Sequence, residues 1–399
     1  RTNMANVLAR KRRMVDDEIA GHLALYRRAG TDLVRGEARF VAPKTVEVKL
    51  NDGGTRVLSG ERVFLNLGTR PAIPSIPGLA GAAMTNIELL ELDQLPDHLV
   101  VLGGGYVGIE FAQAYRRFGS RVTLVERGSQ LLAHEDADVA HAVTQLLVDE
   151  GVDVLFDTAV ERVDGRRGAW RVRVGADRSG RAIEATHVLA AVGRKPNTDG
   201  ISLDVAGVEL DARGYIAVND RLETSAPGVW ALGECAGSPQ FTHVAFDDFR
   251  VVFANLSGGK RSTRGRIVPF CLFTDPELAR VGLSENEAHR RGVAVRVASL
   301  PIQNVLRTET TGESRGFMKA LIDAQSDAIL GFTIFGAEAG EVAAVVQTAM
   351  TAELPYTSLR DMILAHPTMA EGLNVLFRQP LQLVASAQRG ESPVQQPGA

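Results

Sequence analysis

Residues 99–127 read LVVLGGGYVGIEFAQAYRRFGSRVTLVER, and the order of these residues decides the fold. An apolar run, Leu99 to Leu102, predicts a strand, and Gly103, Gly105 and Gly108 follow it at G-x-G-x-x-G spacing where a helix begins. The first glycine allows the tight turn, the second lets the backbone approach a pyrophosphate, and the third permits close packing of helix on strand. The helix N-terminus then faces the phosphates. The next strand, Val122 to Val125, ends at Glu126, where a carboxylate would accept hydrogen bonds from the adenosine ribose hydroxyls. That arrangement favours NAD. Arg127 beside it could instead neutralise a 2'-phosphate, so NADP stays open as the less favoured coenzyme.

Working outward, a helix is predicted over 136–150, with strands at 152–156, 160–164, 169–175 and 183–191. Such alternation implies a parallel sheet with helical crossovers. Upstream, Val7, Leu8, Val15, Ile19, Leu23 and Tyr26 recur at helical spacing and predict an amphipathic helix over 5–29, whose charged run is read as a solvated face. Strands are expected at 33–41, 45–50 and 62–67, before a stiff connection at Pro71, Pro74 and Pro77. Downstream, a strand at 229–232 precedes a helix at 243–256. The last third mixes strands at 268–273, 294–300, 317–323 and 328–335 with a helix over 338–353, and the tail 385–399 reads as frayed.

A chain of 399 residues exceeds the roughly 150 of one domain, so two or three domains are expected. Hydrophobic residues make up 45% and charged residues 23%, as in an ordinary globular protein. A net charge of -4 supplies no footprint for nucleic acid or an anionic membrane, which points to small-molecule partners. No apolar run is long enough to span a bilayer and the first residues lack a signal peptide, making the cytoplasm the default compartment. The two cysteines, Cys235 and Cys271, offer neither a disulfide framework nor close metal-ligand pairs, and both read as small core residues. No metal site is expected.

Taken with four further motifs, the glycine turn resembles the flavin-dependent pyridine nucleotide-disulfide oxidoreductases, which include dihydrolipoamide dehydrogenase, glutathione reductase and mercuric reductase. Asn66-Leu67-Gly68-Thr69-Arg70-Pro71 is similar to the family's crossover into its nicotinamide domain, and Val192-Gly193-Arg194-Lys195-Pro196-Asn197 to its return. Gly228 to Glu234, GVWALGE, resembles the second flavin motif, and Ala365 to Glu371, AHPTMAE, the motif that carries a His-Glu pair. The stretches QFTHVAFDDFR, GKRST and LPYTSLRDMILAHPTMAEGLNVLF look closest to the mercuric-reductase-like branch associated with reactive-chlorine resistance.

The resemblance implies an α/β chain in which the remnant of an FAD-binding Rossmann-like domain (1–85 and 197–265) accepts an inserted NAD-binding Rossmann-like domain (86–196), followed by an α+β dimerisation domain (266–384). It implies a homodimer that takes electrons from NADH through FAD to a disulfide or a soft metal ion. Tyr106 would gate the nicotinamide pocket with Glu110 near the nicotinamide, and Gly68, Thr69, Gly193, Gly233, Glu234 and Ala245 would join the cofactor contacts. His366 and Glu371 would act as the acid-base pair on a thiol. Other readings stand beside these: Tyr106 and Glu110 are also one face of a helix, and Thr368-Met369-Ala370-Glu371 is also a capping box in which Glu371 reaches back to the Thr368 amide.

Departures from the family pattern matter equally. The sequence holds one glycine turn, which belongs to the nicotinamide domain, and no C-x-x-x-x-C pair. The reading is that this chain begins after both. Glu234 stands where the second flavin motif usually has Asp, and the mercuric reductases' C-terminal cysteine pair is missing. The alternative is therefore a catalytically silent nucleotide-binding dimer.

Overall fold

A computed structural model describes residues 2–175 and 181–384, so the reading of 385–399 lies outside the described residues. The chain forms two compact units, the first built from residues up to 103, 118–125 and 159–266, the second from 104–117, 126–158 and 267 onward.

In the first unit the apolar run folds as the strand His98–Leu102, flanked in parallel by Arg121–Val125 and His187–Ala190, with Ala83–Met84 beyond the latter. Leu99, Val100 and Val101 are wholly buried, as expected of a strand with parallel neighbours on both sides. Gly103 closes the strand at φ +103°, and a Cβ there would stand 2.5 Å from the Ala191 carbonyl oxygen. Only glycine fits that turn.

The single strand expected over 183–191 is two strands in different sheets. Ala182–Ala185 completes an antiparallel meander with Ala169–Gly175 and Ala159–Arg166, whereas His187–Ala190 enters the parallel sheet. Thr186 makes the switch: its hydroxyl donates to the His98 carbonyl at 3.0 Å and accepts from the His98 N–H at 3.1 Å. A β-prone run conceals such a break, because both halves share one composition.

A three-stranded antiparallel sheet joins Gly36–Ala42, Thr45–Leu50 and Thr55–Ser59. The third strand escaped the sequence reading because it is almost wholly exposed and shows no apolar alternation. Val63–Leu65 pairs in parallel with Val229–Ala231 over a core containing Phe40, Val229 and Cys235. The N-terminal helix runs Met4–Arg28, capped by the Asn3 side chain and ending in Arg27 and Arg28. Among the described residues its apolar stripe is only partly covered: Met4 and Leu8 are buried, but Val15, Ile19 and Tyr26 are exposed.

The second unit carries a six-stranded antiparallel sheet in the order Phe270–Leu272, Glu277–Gly282, Ile329–Gly336, Phe317–Asp323, Val295–Pro301 and Gln382–Val384. Helix Ala339–Thr351 packs on it. Val342, Val346 and Ala349 are buried with Phe332 and Ile334, and Val345 and Met350 lie against the same cluster. The apolar face of this helix is thus used by the unit's own core. Among the described residues no helix is long and apolar enough to cross a membrane.

Candidate functional site

Helix Tyr106–Phe118 follows the glycine turn, burying Ile109, Ala112 and Tyr115 and ending in Arg116 and Arg117 before Gly119 at φ +115°. Gly105 is exposed, and a Cβ added there would meet nothing within 4 Å, so the turn leaves its backbone open to a ligand. Gly108 is buried. In the same unit Glu126 accepts from the Gly104 N–H through Oε2 and from the Gly128 N–H through Oε1, each at 2.7 Å. The carboxylate is fixed before any ligand arrives. Two amide donors leave it further lone pairs, the chemistry required to accept from a ribose diol. The residues of the turn therefore fit a dinucleotide.

Tyr106 and Glu110 both look towards structure rather than open solvent. The Tyr106 hydroxyl donates to Glu135 at 3.1 Å, and its ring lies 5.2 Å from that of Phe270. Glu110 accepts from the Phe273 N–H at 2.9 Å, and burial pushes its carboxyl above the usual range. The sequence reading missed Glu135 and Arg280, whose partnership lies far apart in the chain and leaves no local signature.

In the first unit Thr69, Arg194 and Glu234 converge. The Thr69 hydroxyl donates to Glu234, Arg194 Nε donates to the Thr69 hydroxyl at 2.6 Å, and Arg194 stands 3.5 Å from the Glu234 carboxylate. Gly68 and Gly193 adopt φ of +65° and +111° with open space where a Cβ would go. Gly233 shares the left-handed backbone at φ +66°, and a Cβ there would also stand 3.1 Å from the Ala245 Cβ and 2.9 Å from Asn66 Oδ1. Its N–H donates to Asp248 at 2.7 Å, and the wholly buried Asp248 pairs with Arg266 at 2.6 Å. Asp248, which sequence reasoning passed over, anchors the motif. For a flavin the fit is partial, because Thr69 and Glu234 provide polar contacts but these 399 residues hold no second glycine turn for its pyrophosphate.

His366 and Glu371 meet on a loop of the second unit, with Nδ1 2.8 Å from the carboxylate. Cys235 is fully buried and its thiol is pushed up mainly by burial; burial, with Glu277 and Glu110 nearby, pushes the half-buried Cys271 thiol up to about 12. Neither is a reactive thiolate at neutral pH. Asp136, Asp138 and Glu285 form a cluster of carboxylates, but the Lys319 ammonium occupies their centre.

Residues 6–248 match the family described as pyridine nucleotide-disulphide oxidoreductase, and residues 268–376 match the dimerisation domain of that name. The chain is 37% identical over 350 residues to the probable pyridine nucleotide-disulfide oxidoreductase RclA of Escherichia coli, covering 87% of this chain and 78% of that one. It is 35% identical to a mercuric reductase of Acidithiobacillus ferrooxidans, of which it spans 62%. The solved copper(II) complex of the HOCl-induced flavoprotein disulfide reductase RclA from E. coli superposes with a TM-score of 0.87 at 34% identity, covering 94% of this chain and 85% of that one. The fold is therefore that of a flavoprotein disulfide reductase with a dimerisation domain. The chain belongs to the pyridine nucleotide-disulphide oxidoreductases, a family of oxidoreductase enzymes.

Proposed function

We propose that this chain is the nicotinamide-binding and dimer-forming part of a cytoplasmic, NADH-driven flavoprotein reductase acting on a disulfide or a soft metal ion. The observation that carries the reading is the fixed Glu126 carboxylate beside the open glycine turn. When bound, a reduced nicotinamide supplies a hydride and a flavin passes the electron pair onward. The chain's own residues bind, orient and move protons. Gly103, Gly105 and Gly108 bring the helix N-terminus to the coenzyme pyrophosphate, while Glu126 holds the adenosine ribose. Tyr106 covers the nicotinamide end, and Glu110 borders it. His366, oriented through Nδ1 by Glu371, holds or releases a proton at Nε2 for a thiol. Residues 86–196 form the coenzyme-binding portion and 266–384 the dimer-forming portion. RclA, described as a flavoprotein disulfide reductase and solved with copper(II), and the mercuric reductases supply the acceptor classes.

The experiment compares the 399 residues with a chimaera that adds the N-terminal part of E. coli RclA. Alone, the chain should be colourless or faintly yellow and should not oxidise NADH with lipoamide, glutathione disulfide, mercury(II) or copper(II). The chimaera should bind FAD and oxidise NADH with at least one of them. Stoichiometric FAD and turnover on the 399 residues alone would overturn the division of labour proposed here, and an inactive, FAD-loaded chimaera would favour a silent nucleotide-binding dimer.

A further inference from the structure

Tyr106 is held by more than its place on the helix. Its hydroxyl donates to Glu135 Oε1 at 3.1 Å, and Glu135 is only 1% exposed. A carboxylate so buried needs a charged partner. Arg280 is that partner, with Nε 3.0 Å from Oε2 and Nη2 3.3 Å from Oε1. The forked contact fixes the carboxylate plane as well as its charge. Arg280 is itself immobilised: Nη1 donates to Glu287 and to the Gly282 carbonyl, each at 2.9 Å, and its guanidinium lies 5.1 Å from the Phe270 ring centroid. Glu287 in turn accepts from the Ser284 N–H at 3.0 Å as half of a capping box on helix Glu285–Arg291. Phe270 is shared, lying against both Arg280 and the Tyr106 ring. A rigid path thus runs from a helix cap through a buried ion pair to one phenol.

We propose that the buried Glu135–Arg280 pair is a tether that sets the resting position of the Tyr106 ring, and so controls entry of the nicotinamide end of the coenzyme. Glu135 and Arg280 are positioning residues, and the inference rests on the reading of Tyr106 as the cover of that end. Moving the ring breaks a hydrogen bond to an ionised acceptor and leaves a buried carboxylate one donor short, both of which disfavour the open ring. Burial, helped by the negative Glu135, raises the Tyr106 pKa, so the hydroxyl stays a donor across the physiological range. A ligand that needs the open ring binds with its affinity reduced by the fraction of chains that are open. One that occupies only the adenosine half escapes the reduction.

The test titrates the chain with NADH and with ADP-ribose, which lacks the nicotinamide, in the wild type and in Tyr106→Phe and Glu135→Gln. Tyr106→Phe keeps the ion pair and the ring contact with Phe270, so it tests the tether in a folded protein. Releasing the tether should tighten NADH by about fivefold to tenfold and speed its association, while ADP-ribose affinity changes by less than about twofold. Glu135→Gln, which keeps an acceptor but removes the charge, should move the ratio the same way. Equal shifts for both ligands, or no shift with Tyr106→Phe, would overturn the tether. A ratio that responds to Tyr106→Phe but not to Glu135→Gln would remove the ion pair from the proposal. If ADP-ribose fails to bind the wild type, the coenzyme reading itself fails, independently of the tether.

Discussion

The imidazole of His366 and the carboxylate of Glu371 share a contact in which Nδ1 lies 2.8 Å from one carboxylate oxygen and 2.9 Å from the other. Two uses of Glu371 compete in the sequence, and the structure separates them. Thr368 performs its part of a cap, its hydroxyl accepting from the Glu371 N–H at 3.3 Å. The Glu371 carboxylate instead meets the imidazole, which assigns the Nδ1 proton to that contact and leaves Nε2 outside it. His366 is exposed, so Nε2 is accessible to a substrate or to a second chain.

His366→Ala, placed in the FAD-loaded chimaera, should therefore slow the thiol-dependent step by about 10²–10⁴-fold while leaving hydride transfer from NADH to flavin near its original rate. Glu371→Gln should give a smaller loss of the same kind, since it keeps the imidazole but weakens its orientation. Stopped-flow measurement of flavin reduction, set beside steady-state turnover, separates the two steps. Equal slowing of both would assign the pair a purely structural part.

Coenzyme choice is expected to follow from Glu126. A carboxylate fixed by the Gly104 and Gly128 amides cannot turn aside for a 2'-phosphate, which it would repel. NADH should bind more tightly than NADPH, and Glu126→Ala should weaken NADH by about tenfold or more through loss of charged hydrogen bonds to the ribose. Fluorescence titration with both coenzymes measures this. Equal or reversed affinities in the wild type would make Arg127 the deciding residue.

The parts legible in the sequence are those written in contiguous residues. Leu99 to Gly108 encodes a strand, a turn and a helix start within ten positions, Ala169–Gly175 falls where the alternation of side chains places a strand, and Phe317–Asp323 spans the strand expected over 317–323. What escaped is written in pairs distant along the chain. Glu135 with Arg280, and Asp248 with Arg266, look like ordinary surface charges until the fold buries one member of each. Short strands such as Glu277–Gly282 and Arg194–Pro196 owe their existence to neighbours supplied by remote segments, and propensity alone does not mark them. The surplus of valines on helix Ala339–Thr351 shows the converse: an apolar face signals burial without naming what buries it.

Assembly is accordingly argued from other residues. The matched dimerisation domain leaves Ile363 99% exposed and its neighbour Met362 exposed as well, both close to His366 in sequence. A homodimer is expected by light scattering at micromolar concentration. Ile363→Glu should shift it towards monomer without changing the circular dichroism spectrum. A wild-type monomer would sink the expectation.

The last prediction concerns stability, through Lys319. This residue is 2% exposed, and its ammonium donates to Asp136 and Asp138 at 2.9 Å and to Glu285 at 2.7 Å. Asp136 also accepts from the Glu285 and Asn286 amides, so one ion cluster secures the start of helices Ala137–Asp149 and Glu285–Arg291 to strand Phe317–Asp323. Lys319→Met removes the cation that pairs with all three carboxylates and leaves Asp136 buried without it, which should destabilise the protein by about 3–5 kcal/mol in urea unfolding. The pH dependence has a definite sign. Burial pushes the Asp136 carboxyl up, but the Asn286 N–H and the Lys319 ammonium outweigh it and hold it below the usual carboxylate range. A carboxyl whose folded pKa lies below its unfolded value contributes stability above the unfolded value, near 3.9, and loses it as the pH falls through the folded one. In the wild type this share of the stability should persist at neutral pH and disappear in acid. Lys319→Met should flatten that acid limb, since the main cation holding Asp136 down is gone, and an unchanged limb would show that the backbone amides alone set the carboxyl.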